Sequence, residues 1–108
     1  MEIIDEYIDY IKDKRRLSEN TISSYYIDIK KYIDYLQNNK LILKEIVEND
    51  IIGYLIELEK ENVSISTISR MISSIKSFHD YLFLNQISKS NPAKNIKKPK
   101  IQKNDLDI

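Results

Sequence analysis

The residues that could bind a ligand are concentrated between Asn62 and His79, where hydroxyl and cationic side chains occur without a carboxylate. At about 100° per residue of an α-helix, one narrow stripe contains Ser66, Arg70, Ser73 and Ser77, with Ser69, Ser74 and Lys76 at its edges. Short hydroxyl side chains let a helix backbone approach another surface closely, and Arg and Lys bind phosphate or guanine. A solvated helix face normally mixes charges of both signs, so this pattern favours a surface that binds nucleic acid.

A second stretch repeats the pattern less cleanly. Opposite an apolar stripe lie Asn20, Ser24, Lys31 and Asn38, with Thr21 beside the predicted helix start. Asp28 and Asp34 flank this face and would repel phosphate. The two stretches together predict an interface formed by two helices.

A third cationic element follows near the C-terminus, where Lys89, Lys94, Lys97, Lys98, Lys100 and Lys103 precede the next acid, Asp105. A flexible cationic tail attracts nucleic acid by counterion release without reading its sequence. The same composition is typical of a soluble linker, and the residues alone leave both interpretations open.

The elements that must position these residues begin in the same way. Ser18 and Ser64 each follow an apolar residue and precede an Ile at the fourth helical position, which is typical of an N-cap with a hydrophobic staple. Apolar residues at spacings of three and four predict helices over 2–14, from Ser18 to 38, over 50–61, and from Ser64 to about 85. One helical turn is predicted near 43–46 and another from Asn91, and Asn38-Asn39 is predicted to end the second helix.

The composition supports an all-α fold, because the chain of 108 residues contains one Gly and two Pro. This length predicts one domain, a compact four-helix bundle over residues 1–93 followed by a basic linker over 94–108. Residues 1–61 carry 14 acidic and nine basic side chains, whereas residues 62–108 carry three and eight. Such an asymmetry supports a surface that faces a polyanion.

Several classes of site are poorly supported. The chain has no Cys, so thiol chemistry and thiolate metal sites are excluded, and it has a single His. His79 falls at the margin of the apolar face, where packing or hydrogen bonding is a simpler role than catalysis. We find no nucleophile–base pair, Gly-rich phosphate loop, signal peptide or membrane-spanning run, and expect a cytoplasmic, nucleoid-associated protein.

Three groups of residues are similar to a known family. The run from Leu17 to Tyr25, with Asp28 after it, resembles the opening of the core-binding domain of tyrosine recombinases of the phage-integrase and Xer type. The run from Ser64 to Phe78 resembles the last long helix of that SAM-like domain, and Asn91-Pro92-Ala93 resembles its exit toward a catalytic domain. The resemblance covers nearly the whole chain, with the elements in order.

The resemblance implies the DNA-clamping part of a recombinase, whose catalytic residues lie in a second domain. It implies double-stranded DNA and other protomers of a tetramer as partners, with no metal or nucleotide cofactor, and a chain that is monomeric by itself. The DNA contacts carried over are Thr21, Ser24, Lys31, Ser66, Arg70, Ser73, Ser74, Lys76 and Ser77, to which the cationic tail adds Lys94, Lys97 and Lys98. Tyr26 and Ile27 depart from the family, in which these positions are often basic.

The alternative interpretation is a helical protein-interaction module in which the hydroxyl face packs against another helix. The DNA-binding interpretation predicts that Arg70→Ala together with Lys76→Ala weakens duplex binding and leaves thermal unfolding nearly unchanged. It also predicts an affinity that falls steeply with salt.

Overall fold

The computed structural model describes residues 2–14 and 17–99. These residues form four α-helices: α1 (Ile3–Lys14), α2 (Glu19–Asn38), α3 (Glu48–Lys60) and α4 (Ile65–Leu84). A single 3₁₀ turn, Leu43–Glu45, lies between α2 and α3, as the sequence predicts. The described ranges contain no β-strand, so the all-α fold class is confirmed.

The two serine caps form as predicted. The Oγ atoms of Ser18 and Ser64 accept hydrogen bonds from the backbone N–H groups of Thr21 and Thr67, each at 3.2 Å. Helix α3 begins at Glu48, two residues earlier than predicted, so Asp50 lies in its first turn and not at its start. There the Asp50 carboxylate accepts a 3.0 Å hydrogen bond from the N–H of Val47 and so caps the helix from within.

Three helices end with a residue in the left-handed region, and at α2 this residue is not the one predicted. Asn39 is the C-cap of α2, but the left-handed conformation, with φ of 58°, falls on Lys40. The N–H of Leu41 then donates to the carbonyl of Leu36 at 2.8 Å. This hydrogen bond satisfies a backbone carbonyl at the helix end. Its geometry requires the left-handed conformation at the residue before Leu41, so Lys40 adopts it although a lysine side chain does not favour it.

The core lies where α2 packs against α4, with α1 packed against both helices. The ring of Tyr7 on α1 contacts Phe78 on α4 edge-on, with a centroid distance of 5.1 Å. Helix α3 packs on α2 through aromatic rings, with Tyr54 at 5.4 Å from Tyr32 and 4.8 Å from Tyr35. Because α2 and α4 lie side by side, the polar residues at their N-terminal ends also come together.

The chain continues to pack on the bundle after α4. Near the predicted turn, the Asn91 side chain accepts a hydrogen bond from the N–H of Ala93 at 3.2 Å. The structure there is a hydrogen-bonded turn and not a further helix. Ile96 is buried, although the sequence predicts a linker from Lys94 onward. Residues 100–108, which include the candidate residues Lys100 and Lys103, lie outside the described residues.

Candidate nucleic-acid interface

A polar cleft lies between the N-terminal halves of α2 and α4. Its volume is about 420 Å³, and its lining consists of Asn20, Thr21, Ser24, Tyr25, Ser66, Ser69, Arg70, Ser73 and Lys98. The charged residues of this lining are the cations Arg70 and Lys98. We call this site the polar cleft.

The two helix starts add to the positive character of the polar cleft. Asn20 and Thr21 belong to the first turn of α2, and Ser66 belongs to the first turn of α4. The N-terminus of a helix carries a partial positive charge and presents unpaired N–H groups, which attract anions. The Ser18 and Ser64 side chains each accept a hydrogen bond from one of these N–H groups, those of Thr21 and Thr67. The other N–H groups of the two first turns do not donate to the side chains of the capping serines.

Six of the twelve predicted contact residues line the polar cleft, namely Thr21, Ser24, Ser66, Arg70, Ser73 and Lys98. Lys94 and Lys97 are exposed outside its lining, and Lys97 lies in an adjoining cleft with Lys76. The structure therefore brings half of the predicted set together at one place.

Arg70 is bound at the edge of the polar cleft by a carboxylate from α2. Its Nε donates to Asp28 Oδ2 at 3.0 Å, and its Nη2 donates to Asp28 Oδ1 at 2.7 Å. The Asp28 side chain is 1% exposed and the Arg70 side chain is 44% exposed. These hydrogen bonds raise the pKa of Arg70, and the paired guanidinium presents its open side to solvent in a fixed orientation.

The sequence missed this role of Asp28, which was predicted only to flank the face of α2. A signal was present in the sequence, because Asp28 lies four and eight positions before Tyr32 and Leu36 and so falls on the same helical face as these apolar residues. In the structure all three are buried. A buried carboxylate needs a partner, and Arg70 is the cation that supplies it. Although α4 itself has no acid between Asn62 and His79, α2 therefore places a carboxylate beside its Arg70.

Ser74 and Ser77 were predicted on the exposed stripe, and this placement is wrong because both side chains are buried. Ser74 Oγ lies 3.1 Å from Asp28 Oδ2, within hydrogen-bond distance. Ser77 Oγ accepts a 2.9 Å hydrogen bond from the Tyr7 hydroxyl. Packing of α1 and α2 against α4 covers these two positions and leaves at most 5% of either residue exposed.

Lys76 was also predicted to contact DNA directly, but its ammonium group has an internal partner. The Nζ atom donates a 2.7 Å hydrogen bond to the backbone carbonyl of Ile96. The side chain is half-buried in the adjoining cleft, which is lined by Tyr25, Ser73, Lys76, Ser77, Asp80, Ile96, Lys97 and Lys98.

Lys31 lies on the other side of Arg70, in surroundings of the opposite charge. It is exposed and lines a larger cleft of about 580 Å³ between α2, α3 and the first turns of α4, which Arg70 also lines. Asp34, Glu57 and Glu61 line the same cleft. These carboxylates would repel a phosphate near Lys31.

His79 is packed in the core, as the sequence predicts. Its Nε2 lies 2.7 Å from the Tyr32 hydroxyl, and burial lowers the pKa of His79 to about 4. Within residues 2–14 and 17–99 there is no group of three or more His, Cys, Asp or Glu side chains placed to hold a metal ion. In the same ranges, no helix combines the length and the apolar character needed to cross a bilayer.

Comparisons with known proteins agree with the resemblance seen in the sequence. The tyrosine recombinase XerD of Oceanobacillus iheyensis is 36% identical over 107 residues, which cover 97% of this chain and 36% of that protein. XerD of Staphylococcus epidermidis is 36% identical over 110 residues, covering 98% and 36%. A tyrosine recombinase of Pseudothermotoga lettingae is 35% identical over 103 residues, covering 94% and 36%.

The chain therefore spans about a third of the length of these curated relatives. The sequence profile described as "Phage integrase, N-terminal SAM-like domain" matches residues 4–86, which include all four helices except the first residue of α1. From this match, and from relatives that cover almost the whole chain, we conclude that the chain belongs to the family of phage-integrase N-terminal SAM-like domains.

Proposed function

We propose that this chain is the DNA-clamping domain of a site-specific tyrosine recombinase and that it holds duplex DNA against the polar cleft. The observation that carries the proposal is the composition of the cleft, which combines short hydroxyls and two cations at the N-terminal ends of two helices. Hydroxyls, cations and helix N-termini are the groups that position a protein on the phosphate backbone.

The contact set that we propose is smaller than the one predicted from the sequence. It consists of Thr21, Ser24, Ser66, Arg70, Ser73 and Lys98, with Lys97 and Lys94 on the exposed segment beside them. Arg70 acts here as an oriented hydrogen-bond donor more than as a free charge, because Asp28 already pairs with it. Lys98 supplies the cation of the cleft that can neutralise a phosphate outright.

In this proposal, DNA cutting and rejoining belong to the part of the relatives that this chain does not match. The chain would act on the bacterial chromosome together with other recombinase protomers. By itself it would be monomeric, which light scattering coupled to size-exclusion chromatography can measure.

The binding experiment is a fluorescence-anisotropy titration of a labelled duplex with the 108-residue chain at several salt concentrations. We expect the logarithm of the affinity to fall linearly with the logarithm of salt, by about 0.9 per phosphate neutralised. Absence of binding, or an affinity independent of salt, would contradict the proposal and favour the protein-interaction alternative.

A charge placed in the cleft tests the location of the binding surface. Ser66→Asp puts a carboxylate in the first turn of α4, where it favours the helix, so unfolding will not account for lost binding. We expect the duplex affinity at low salt to fall roughly fivefold to tenfold, because each close like-charge contact in water costs about 1 kcal/mol.

The matched control is Ile65→Asp, because Ile65 is the adjacent residue of the same turn, is exposed, and is outside the lining of the cleft. It should keep most of the duplex affinity. Equal losses in the two variants would mean that the surface is elsewhere.

A further inference from the structure

The segment that follows α4 is bound to the bundle at several points. We call residues 91–98 the strap. Ala93 and Ile96 are buried in the hydrophobic core, with Ile96 only 7% exposed. The Asn91 side chain donates a 2.7 Å hydrogen bond to Asp80 on α4. The strap is thus held at its start by Asn91 and along its length by two apolar side chains.

The last backbone contact of the strap that the structure describes is made by Lys76. Its Nζ donates to the carbonyl oxygen of Ile96 at 2.7 Å. The N–H of Ile96 donates in turn to the carbonyl of Ala93 at 3.1 Å. The N–H and the carbonyl of Ile96 are therefore both hydrogen-bonded. These two bonds fix the orientation of the Ile96 backbone and with it the direction in which the chain continues to Lys97.

Lys97 and Lys98 follow directly after this anchor. Both line the cleft that contains Lys76, and Lys98 also lines the polar cleft. The three ammonium groups of this region outnumber its one carboxylate, Asp80, so their net repulsion favours a strap that moves away. The hydrogen bond from Lys76 to a carbonyl, together with the buried Ile96, opposes that movement.

We propose that Lys76 is a positioning residue, which holds the strap at Ile96 and thereby places Lys98 at the polar cleft. This inference rests on the proposed function. It assigns Lys76 a role different from the direct DNA contact predicted from the sequence: its effect on DNA binding passes through Lys98.

The first experiment needs no DNA. Amide hydrogen exchange is measured at Ile96, with helical core amides such as that of Ile75 as an internal reference for global stability. In Lys76→Met, which keeps an unbranched apolar stem without the ammonium group, we expect Ile96 to exchange roughly tenfold faster relative to the reference, as loss of a charged hydrogen bond implies. Lys76→Arg keeps a donor for the carbonyl and should restore most of the protection.

The second experiment is a double-mutant cycle in the salt dependence of duplex binding, carried out in a chain with Lys94→Ala and Lys97→Ala so that Lys98 is the remaining lysine of the strap. Lys98→Ala should reduce the slope by about 0.9, the value for one phosphate. If Lys76 acts through Lys98, adding Lys76→Met to Lys98→Ala should change the slope no further. If Lys76 contacts a phosphate itself, the two losses should add to about 1.8.

Lys44→Ala is the matched control, because Lys44 is an exposed lysine on the 3₁₀ turn outside both of these clefts. It should leave the slope unchanged. The positioning role would be overturned by unchanged exchange at Ile96 in Lys76→Met, or by slope losses of Lys76→Met and Lys98→Ala that add. Either result leaves the proposed function intact as long as the unchanged chain shows salt-dependent binding. Absence of binding by the unchanged chain would instead overturn the proposed function, and with it the role of Lys98.

Discussion

Helix α4 carries serines in two different environments, although the sequence makes them similar. Ser66 and Ser73 line the polar cleft, whereas Ser74 and Ser77 are buried and hydrogen-bonded inside the bundle. Ser73 and Ser74 are adjacent in sequence, so a rotation of one residue around the helix separates a candidate ligand contact from a core contact.

The two environments are built from the same pair of helices and differ in how their polar groups are satisfied. In the interior, the two buried hydroxyls of α4 have protein partners, Ser74 with Asp28 and Ser77 with Tyr7. In the polar cleft, Ser66 and Ser73 line an open surface, where their hydroxyls can exchange water for a ligand. The interior cluster should therefore determine stability and the cleft should determine binding, and Arg70 belongs to both.

The largest expected effect is the loss of Arg70, and it differs from the prediction from sequence that Arg70→Ala together with Lys76→Ala leaves thermal unfolding nearly unchanged. Removing the guanidinium leaves the buried Asp28 carboxylate without its cation. Breaking a buried ion pair on one side is strongly destabilising, and because Arg70 is partly exposed we expect the lower end of that range, about 3 kcal/mol. Urea denaturation of Arg70→Ala measures the free energy of unfolding.

Two further variants make this experiment specific. Arg70→Ala combined with Asp28→Asn should recover part of the lost stability, because no charge is then buried without a partner. Lys31→Ala removes an exposed cation of the same region and should change stability by less than about 0.5 kcal/mol. An Arg70→Ala chain that unfolds at the same urea concentration as the unchanged chain would show that the pair contributes nothing.

The next largest effect concerns the interior at low pH. Burial lowers the pKa of His79 to about 4, whereas in the unfolded chain it titrates near 6.5. The unfolded chain therefore binds the proton first, and stability falls as the pH decreases from about 6.5 to about 4. The loss from this group is about 2–3 kcal/mol, and it levels off below the folded pKa.

The comparison with His79→Gln isolates this contribution. Glutamine stays neutral over the whole pH range. The contribution of the carboxylates, which both chains share, therefore cancels when the curve of unfolding free energy against pH for His79→Gln is subtracted from that of the unchanged chain. Parallel curves between pH 6.5 and pH 4 would mean that His79 is not protected from protonation in the folded protein.

The smallest effect compares the two kinds of serine directly. Ser77→Ala removes the buried hydrogen bond from Tyr7 and should cost about 1 kcal/mol of stability with little change in duplex affinity. Ser73→Ala should stay within about 0.5 kcal/mol in stability and should weaken duplex binding instead. The same two assays on both variants check this, and an affinity loss confined to Ser77→Ala would reverse our assignment of the two environments.

Local features made much of the fold predictable. The serine caps and the spacing of apolar residues placed α2 and α4 correctly, because capping and amphipathic periodicity depend on residues within a few positions of each other. The start of α3 was predicted two residues late, since Val47 has no side chain that can cap a helix and Asp50 does so from the first turn. The hydroxyl-rich composition of the candidate interface was also visible.

The partners of the polar groups were not predictable in the same way. Asp28 and Arg70 are 42 positions apart, and Lys76 and Ile96 are 20 apart. Such contacts depend on how the helices rotate and pack against each other, which no local pattern specifies. The separation of Ser73 from Ser74 depends on the same rotation.

The sequence by itself determined the helices, their caps and the family resemblance, since these follow from short-range spacing and residue type. Only the tertiary structure decided which polar side chains remain free to meet a ligand. Burying an unpaired charge or hydroxyl costs free energy, and the available partners are set by distance in space. Asp28, Ser74, Ser77 and Lys76 therefore gained internal partners, while the polar cleft stayed open.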